Sequence, residues 1–391
     1  MLTSLSLPPF NYLIINFLTF SLFFFFLTQK LYQNIDTKKF FLYGWLFGFG
    51  YFLTNLYWIS ISLTFQQDLK FLIPITFILI PAFLALFYGL ASYLFKIFRI
   101  KKTISSFLFF SLIFSFLEFI RGSILTGFPW NLIAYSFSNQ LEILNVISIF
   151  GTYGFNLFCI TLFTSPAIIV LERSKKNIFV FLIIFVILVL SYLYGSYNHK
   201  KFEQKENKIS ELKIRAISSN IAIERFNSKS DLVAIIKRLI EISEPKKNEK
   251  ILYVWPEGII PNIFQDQLVE YDWLFSKEFD KNHLIAIGIN SYSKKQNGKY
   301  FNSISIYNHK LDLIDSYYKN NLVPFGEFIP LEGILKKIGL RTITNNYQSF
   351  SKGNKRDIFN IKKDESSLKI LPLICYEIIY SGNLFKNQNF D

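Results

Sequence analysis

The stretch Leu371-Pro-Leu-Ile-Cys-Tyr-Glu377 decides how the second half of this chain is read, because it carries a lone thiol at the end of an apolar run. Two other stretches share its design. Val254-Trp-Pro-Glu257 ends an apolar run on a carboxylate, and Ile314-Asp-Ser-Tyr-Tyr-Lys319 ends one on an ammonium before continuing to Leu322-Val-Pro-Phe-Gly-Glu327. Short runs rich in β-branched and aromatic residues, closed by turn formers, predict strands. Pro256 ends its strand and fixes the turn that presents Glu257. A carboxylate can take the proton of a nearby thiol, since the thiolate is the nucleophile, while an ammonium stabilises the oxyanion formed when a carbonyl is attacked. Composition leaves a plainer alternative open, with Cys375 a small core residue and the charges a surface ion pair.

Around these three points the pattern predicts strands at 212–218, 251–255, 284–290, 302–307, 311–317 and 368–375. The last of these puts Cys375 at a strand end. Asp231 to Ile242 has apolar residues at 232, 235, 236, 239 and 240, which is helical spacing, and a second amphipathic stretch covers 265–280. Strand, helix, strand, helix and then a meander predicts an α/β layered domain over 212–391. The charged, unpatterned stretch 197–211 reads as a linker.

Everything before it is different in kind. The chain has 391 residues, 51% of them hydrophobic, with 46 Phe and 22 Tyr, which exceeds what a soluble domain of this length needs. Six segments, near 11–28, 41–63, 71–95, 104–120, 143–170 and 177–195, are apolar over about 20 residues each, enough to cross a bilayer as helices. Residues 1–196 are therefore expected to form a polytopic helical membrane bundle. Basic residues crowd into alternate loops: Lys30, Lys38 and Lys39; Lys96, Arg99, Lys101 and Lys102; Arg173, Lys175 and Lys176. The intervening loops hold only Lys70 and Arg121. That asymmetry assigns the basic loops to the cytoplasm and the domain after the sixth span to the outside. Met1-Leu-Thr-Ser has no basic n-region or cleavage site, so the first run is expected to be a retained span. A chain starting outside without an export signal leads us to expect a helix before it.

Within the bundle, Glu118 and Arg121 lie one helical turn apart before Leu125-Thr-Gly-Phe-Pro-Trp130. Ionisable residues in a membrane are functional candidates, and the alternative is a structural pair bracing a re-entrant loop. Gly44-Trp-Leu-Phe-Gly-Phe-Gly50 presents a small-residue face for close helix packing. The net charge of +14 is dispersed over lysines without interleaved aromatics, which argues for anionic lipid headgroups and against nucleic acid. Cys159 lies in an apolar run and Cys375 in the polar half, and the three histidines are scattered. Neither a disulfide, a metal centre nor another cofactor is expected.

Trp255-Pro-Glu257, Tyr318-Lys319 with Leu322 to Glu327, and Ile374-Cys-Tyr-Glu377 resemble the three catalytic motifs of the nitrilase, or carbon-nitrogen hydrolase, superfamily. More narrowly they resemble the apolipoprotein N-acyltransferase family, and Gly44 to Gly50, Glu118-Phe-Ile-Arg-Gly122 and Thr126 to Trp130 are similar to its transmembrane motifs. The resemblance implies a nitrilase-like αββα sandwich on the periplasmic side of a helical bundle in the bacterial inner membrane. It implies Glu257 as general base, Lys319 as oxyanion-stabilising cation and Cys375 as nucleophile. Glu327 would be the supporting carboxylate, with Tyr376 and Glu377 lining the pocket and the Tyr376 backbone N–H a second oxyanion donor. The implied reaction takes an acyl chain from a phospholipid as a cysteine thioester and passes it to the N-terminal amine of a diacylated apolipoprotein, with the enzyme acting as a monomer.

Three departures accompany the resemblance. The sequence is expected to be incomplete after Cys375, to lack a first helix, and to hold Phe226, in the lid-like stretch Asn220 to Asn227, where a tryptophan is usual. A membrane-anchored amidase using the same residues with water as acceptor is the nearest alternative. A transporter or scaffold whose polar half merely binds is the alternative of another class.

Overall fold

The computed structural model describes the chain except for residues 66, 126, 205–211, 222–230, 294–297, 325, 331–348, 355, 364–365 and 381–391. The chain divides into two compact units, Met1–Glu206 and Asn207–Asp391.

The first unit is a helical membrane bundle. Its elements are α1 (Ile14–Tyr32), α2 (Thr37–Ile61), α3 (Ile73–Phe98), α4 (Thr103–Ser123), α5 (Leu141–Leu144), α6 (Ile147–Thr164), α7 (Pro166–Leu171) and α8 (Lys175–Glu203). Among the described residues six stretches of helix are long and apolar enough to cross a bilayer. Each falls on a segment expected from the sequence. Phenylalanines fill the interior, with Phe23 stacked on Phe47 at 4.2 Å and Phe110 tilted against Phe114 at 4.5 Å. Helices α2 and α3 approach closely where glycine permits it. A methyl group on Gly44 would sit 2.3 Å from the Tyr88 carbonyl oxygen, and one on Gly48 2.8 Å from Tyr88 Cβ.

One expectation is corrected at the end of this unit. Residues 197–203 are not linker: α8 runs on through Glu203. At about 1.5 Å per residue its length exceeds a hydrocarbon core of about 30 Å, so the polar last turns need not be apolar to stay helical.

The second unit is built on a five-stranded sheet of order β1 (Lys213–Ala216), β2 (Ile251–Trp255), β3 (His283–Ser293), β4 (Lys299–Asn308) and β5 (Leu313–Tyr318). The β1–β2 and β2–β3 pairs are parallel and the β3–β4 and β4–β5 pairs antiparallel. Two helices, α9 (Leu232–Ser243) and α10 (Asp272–Glu278), supply crossovers. Strand residues alternate between faces. Tyr253, Trp255, Ile285 and Ile287 pack with Ile236 and Leu239 of α9 and Phe275 of α10 on one face. Leu252, Leu284, Ala286 and Ile306 face a hairpin, β6 (Phe359–Lys363) and β7 (Ser366–Ile370), whose Phe359 and Ile361 complete that layer with Ile374. The described residues thus form a helix layer, a mixed sheet and a second, two-stranded sheet, in keeping with a nitrilase-like domain.

Two details differ from expectation. Strand β6 carried no clear signal in the sequence, and the strand expected to end on Cys375 stops at Ile370. Pro372 lacks a ladder donor, and the chain past it turns into a 3-10 helix, Cys375–Ile379.

Candidate active site

Glu257, Lys319, Glu327, Cys375 and Glu377 converge in the second unit, each just past a strand or on a turn that a strand positions. Glu257 stands two residues beyond β2. The side chain of Trp255 anchors that strand by donating its indole N–H to Ser243 Oγ at 2.9 Å in the helix layer. The turn rests on Gly288 of β3, where a side chain would collide with the Glu257 main chain.

Lys319 follows β5. Its backbone N–H donates to the Asn302 carbonyl at 2.9 Å and its carbonyl accepts from Gly353 N–H at 2.8 Å, which fixes the residue from both sides. Glycine is required at 353, since a Cβ there would lie 2.1 Å from the Tyr318 carbonyl oxygen. The Lys319 side chain is buried, 1% exposed, with Nζ 2.8 Å from Glu327 Oε1 and 3.4 Å from Glu257 Oε1. Asn302 donates through Nδ2 to the same two oxygens, at 2.5 Å to Glu257 and 2.7 Å to Glu327. The other oxygen of Glu327 closes its own turn by accepting from Val323 N–H at 2.8 Å. Burial alone would lower the Lys319 ammonium, but the Glu257 and Glu327 carboxylates outweigh it and hold the group above its ordinary range.

Cys375 is exposed and opens the 3-10 helix with a left-handed backbone, φ 49°. A non-glycine residue in that region is strained, and such residues cluster at functional sites. The groups that act on its thiol are the Glu257 carboxylate, the Lys319 ammonium and the Tyr376 backbone N–H. Partial desolvation, then the Glu257 charge, push the thiol up from its ordinary value; Lys319 opposes them without reversing the shift. The resting group is therefore a thiol with a carboxylate near enough to act on it.

Glu377 sits behind this trio, fully buried. Its Oε1 accepts from Tyr317 OH at 2.7 Å, from the backbone N–H groups of Asn320 and Asn321 at 2.9 and 3.0 Å, and from Arg356 Nη2 at 2.7 Å. Its Oε2 accepts from Ile374 N–H at 3.0 Å. Burial works to raise the carboxyl, yet these donors, led by Asn321 and Ile374, bring it below the usual carboxylate range. Tyr376 packs edge-on against Tyr380 at 5.3 Å. Phe226 lies outside the described residues.

Sequence reasoning missed Asn302 and Arg356. Asn302 starts an apolar alternation as a lone amide on a strand, a weak signal that a buried polar partner awaits it. Arg356 lies in an irregular stretch and carried no signal. His283 is a packing residue, its ring edge-on to Tyr253 and Phe279. Among the described residues no cluster of His, Cys, Asp and Glu suited to a metal is found.

In the first unit, Glu118 and Arg121 are both buried and 3.8 Å apart. Glu118 accepts from Tyr88 OH at 2.6 Å, while Arg121 Nη1 donates to the carbonyls of Phe128 and Trp130 at 2.7 and 2.8 Å. Arg121 thus braces the backbone at Phe128 and Trp130, while Glu118 is held by Tyr88 and Asn156.

A lysine and two carboxylates near a thiol that opens a 3-10 helix, beside a mixed sheet, fit a carbon–nitrogen hydrolase type of domain. Residues 217–389 match the family described as carbon-nitrogen hydrolase, and residues 1–165 match the apolipoprotein N-acyltransferase N-terminal domain. The apolipoprotein N-acyltransferase of Rickettsia typhi is 30% identical, the match covering 88% of this chain and 68% of the relative. That of Allorhizobium ampelinum is 28% identical over 98% of this chain and 73% of the relative, and that of Rhodopseudomonas palustris 28% over 88% and 66%. The chain belongs to the apolipoprotein N-acyltransferase family.

Proposed function

We propose that this protein moves a fatty acyl chain from a membrane phospholipid, through a thioester on Cys375, to the N-terminal amine of a diacylglyceryl-cysteine apolipoprotein. The observation that carries the reading is the Lys319 ammonium held 3.4 Å from Glu257 Oε1 and 2.8 Å from Glu327 Oε1, with the Cys375 thiol near enough for both the Glu257 and Lys319 charges to act on it. In the first half-reaction Glu257 takes the thiol proton as sulfur attacks the ester carbonyl. Lys319, with a backbone N–H such as that of Tyr376, stabilises the oxyanion. The tetrahedral adduct collapses by breaking the ester C–O bond, and Glu257 returns the proton to the departing lysophospholipid oxygen. In the second, Glu257 takes a proton from the attacking amine, the C–S bond breaks, and the proton ends on sulfur. Glu327 and Asn302 hold Lys319 and Glu257 in register throughout.

The basic loops support an orientation with the second unit outside the cytoplasm, at the periplasmic face of a bacterial inner membrane. The test incubates the protein with phospholipid and a diacylated lipopeptide. Lysophospholipid and triacylated peptide are expected, with an acyl adduct on Cys375 in the absence of acceptor and none in Cys375→Ala. Hydrolysis of small amides without acyl transfer would overturn the reading, as would acyl transfer that survives Cys375→Ala.

A further inference from the structure

We propose that Arg356, through its buried pair with Glu377, is a positioning residue that fixes the Lys319 ammonium and the Cys375 sulfur relative to one another. The argument starts from where the Glu377 carboxylate reaches. Oε1 holds the backbone N–H groups of Asn320 and Asn321, the two residues that follow Lys319. Oε2 holds the N–H of Ile374, the residue that precedes Cys375. One carboxylate therefore ties the flank of the cation to the flank of the nucleophile across two segments distant in sequence.

Such a tie holds only while the carboxylate stays ionised and in place. Glu377 has no exposed side-chain surface, and a buried carboxylate held by neutral donors alone is costly. Arg356 meets this need: Nη2 lies 2.7 Å from Glu377 Oε1 and 3.3 Å from Asn321 Oδ1, and Nε donates to Tyr317 OH at 3.2 Å. The guanidinium also lies over the Tyr317 ring, 5.8 Å from its centroid. Tyr317 is itself two residues before Lys319, so the arginine grips both sides of that residue's turn. Its side chain is 8% exposed, which makes it an interior counter-ion and not a surface charge. Removing it leaves Glu377 to protonate or to draw in water, and either change loosens the Asn320, Asn321 and Ile374 bonds together.

The inference rests on the acyl-transfer reading for what the site does, but its test need not. Cys375 faces Glu257 from the turn after β2, Lys319 from the end of β5 and its own neighbour's N–H, so its titration reports how closely the ammonium stands. The full-length protein in detergent is alkylated with iodoacetamide across a pH series and the mass of the intact chain is followed; buried Cys159 stays unlabelled and serves as internal control. In Arg356→Met the Lys319 contribution weakens, the thiol titrates higher, and alkylation at fixed pH slows roughly three- to tenfold, the effect of losing part of a nearby opposite charge. Arg356→Lys restores most of the rate. Arg356→Gln, which keeps one donor for Glu377, takes the place of Arg356→Met if the latter does not fold, and shifts in the same direction. A profile that superimposes on wild type in the folded neutral variant overturns the proposal, even if thermal stability falls. If the wild type never takes up an acyl group from phospholipid, the acyl-transfer reading fails while the thiol profile still decides the role of Arg356.

Discussion

Replacing Gly288 with alanine tests the site through a residue that touches no substrate. The added methyl would lie 2.5 Å from Glu257 Cα, 2.6 Å from the Pro256 oxygen and 2.9 Å from Glu257 N. Ordinary contact begins near 3.4 Å, so one backbone must retreat by about 0.9 Å. Strand β3 is held on both sides, parallel to β2 and antiparallel to β4 over ten register pairs, and cannot move. The Glu257 turn yields instead, and the carboxylate shifts away from the thiol, Asn302 and Lys319 together. Overpacking of this kind costs about 1–3 kcal/mol of stability. A displacement near 1 Å in a catalytic group costs on the order of a hundredfold in rate. The assay is single-turnover acylation of Cys375 by phospholipid, read by intact mass, beside a thermal melt. Gly326→Ala is the control, since its methyl comes no nearer than 3.3 Å to a Val323 methyl group although it adjoins Glu327. Acylation of Gly288→Ala within about threefold of wild type would refute the claim that the Glu257 turn is set by contact with β3.

Three further outcomes follow from the same geometry. Glu257→Gln removes a charge that raises the Cys375 thiol, so iodoacetamide alkylation at neutral pH speeds up while acyl transfer collapses; a fall in both would refute the assigned cause of the shift. Glu377 has a folded-state value below the unfolded one, so its stabilisation is present above the ordinary carboxylate range and lost as pH falls through the lowered value. Melting curves of wild type should therefore drop in acid more steeply than those of Glu377→Gln, and parallel curves would count against this. In the membrane unit, Arg121→Met strands Glu118 and the carbonyls of Phe128 and Trp130, an expected loss of about 3–5 kcal/mol, measured by thermal unfolding in detergent.

The sequence was most legible where one physical term dominates. Twenty apolar residues bounded by lysines can hardly be anything but a span, and α1 to α4 lie where that argument puts them. Strand ends were legible when a turn former marks them, as Pro256 does for β2. They were misread where apolarity outlasted the strand, as in Leu371 to Ile374, because burial against the hairpin layer favours apolar residues whether or not they pair. The helical continuation of α8 past Gly195 was missed because polar residues cease to argue against helix once the chain leaves lipid. Glu257, Lys319 and Cys375 were visible as residue types closing apolar runs. Asn302 and Arg356 were not, because their meaning lies in partners 25 to 45 and 21 to 39 residues away, which only the folded chain brings into reach.

The charges around the Cys375 sulfur also bear on durability. An ammonium between two carboxylates leaves the pocket without surplus positive charge, so the sulfur keeps its hydrogen until a carbonyl arrives. Peroxides react with thiolates far faster than with thiols. A nucleophile stored in the unreactive form can therefore stand open to solvent between turnovers without being consumed by oxidants.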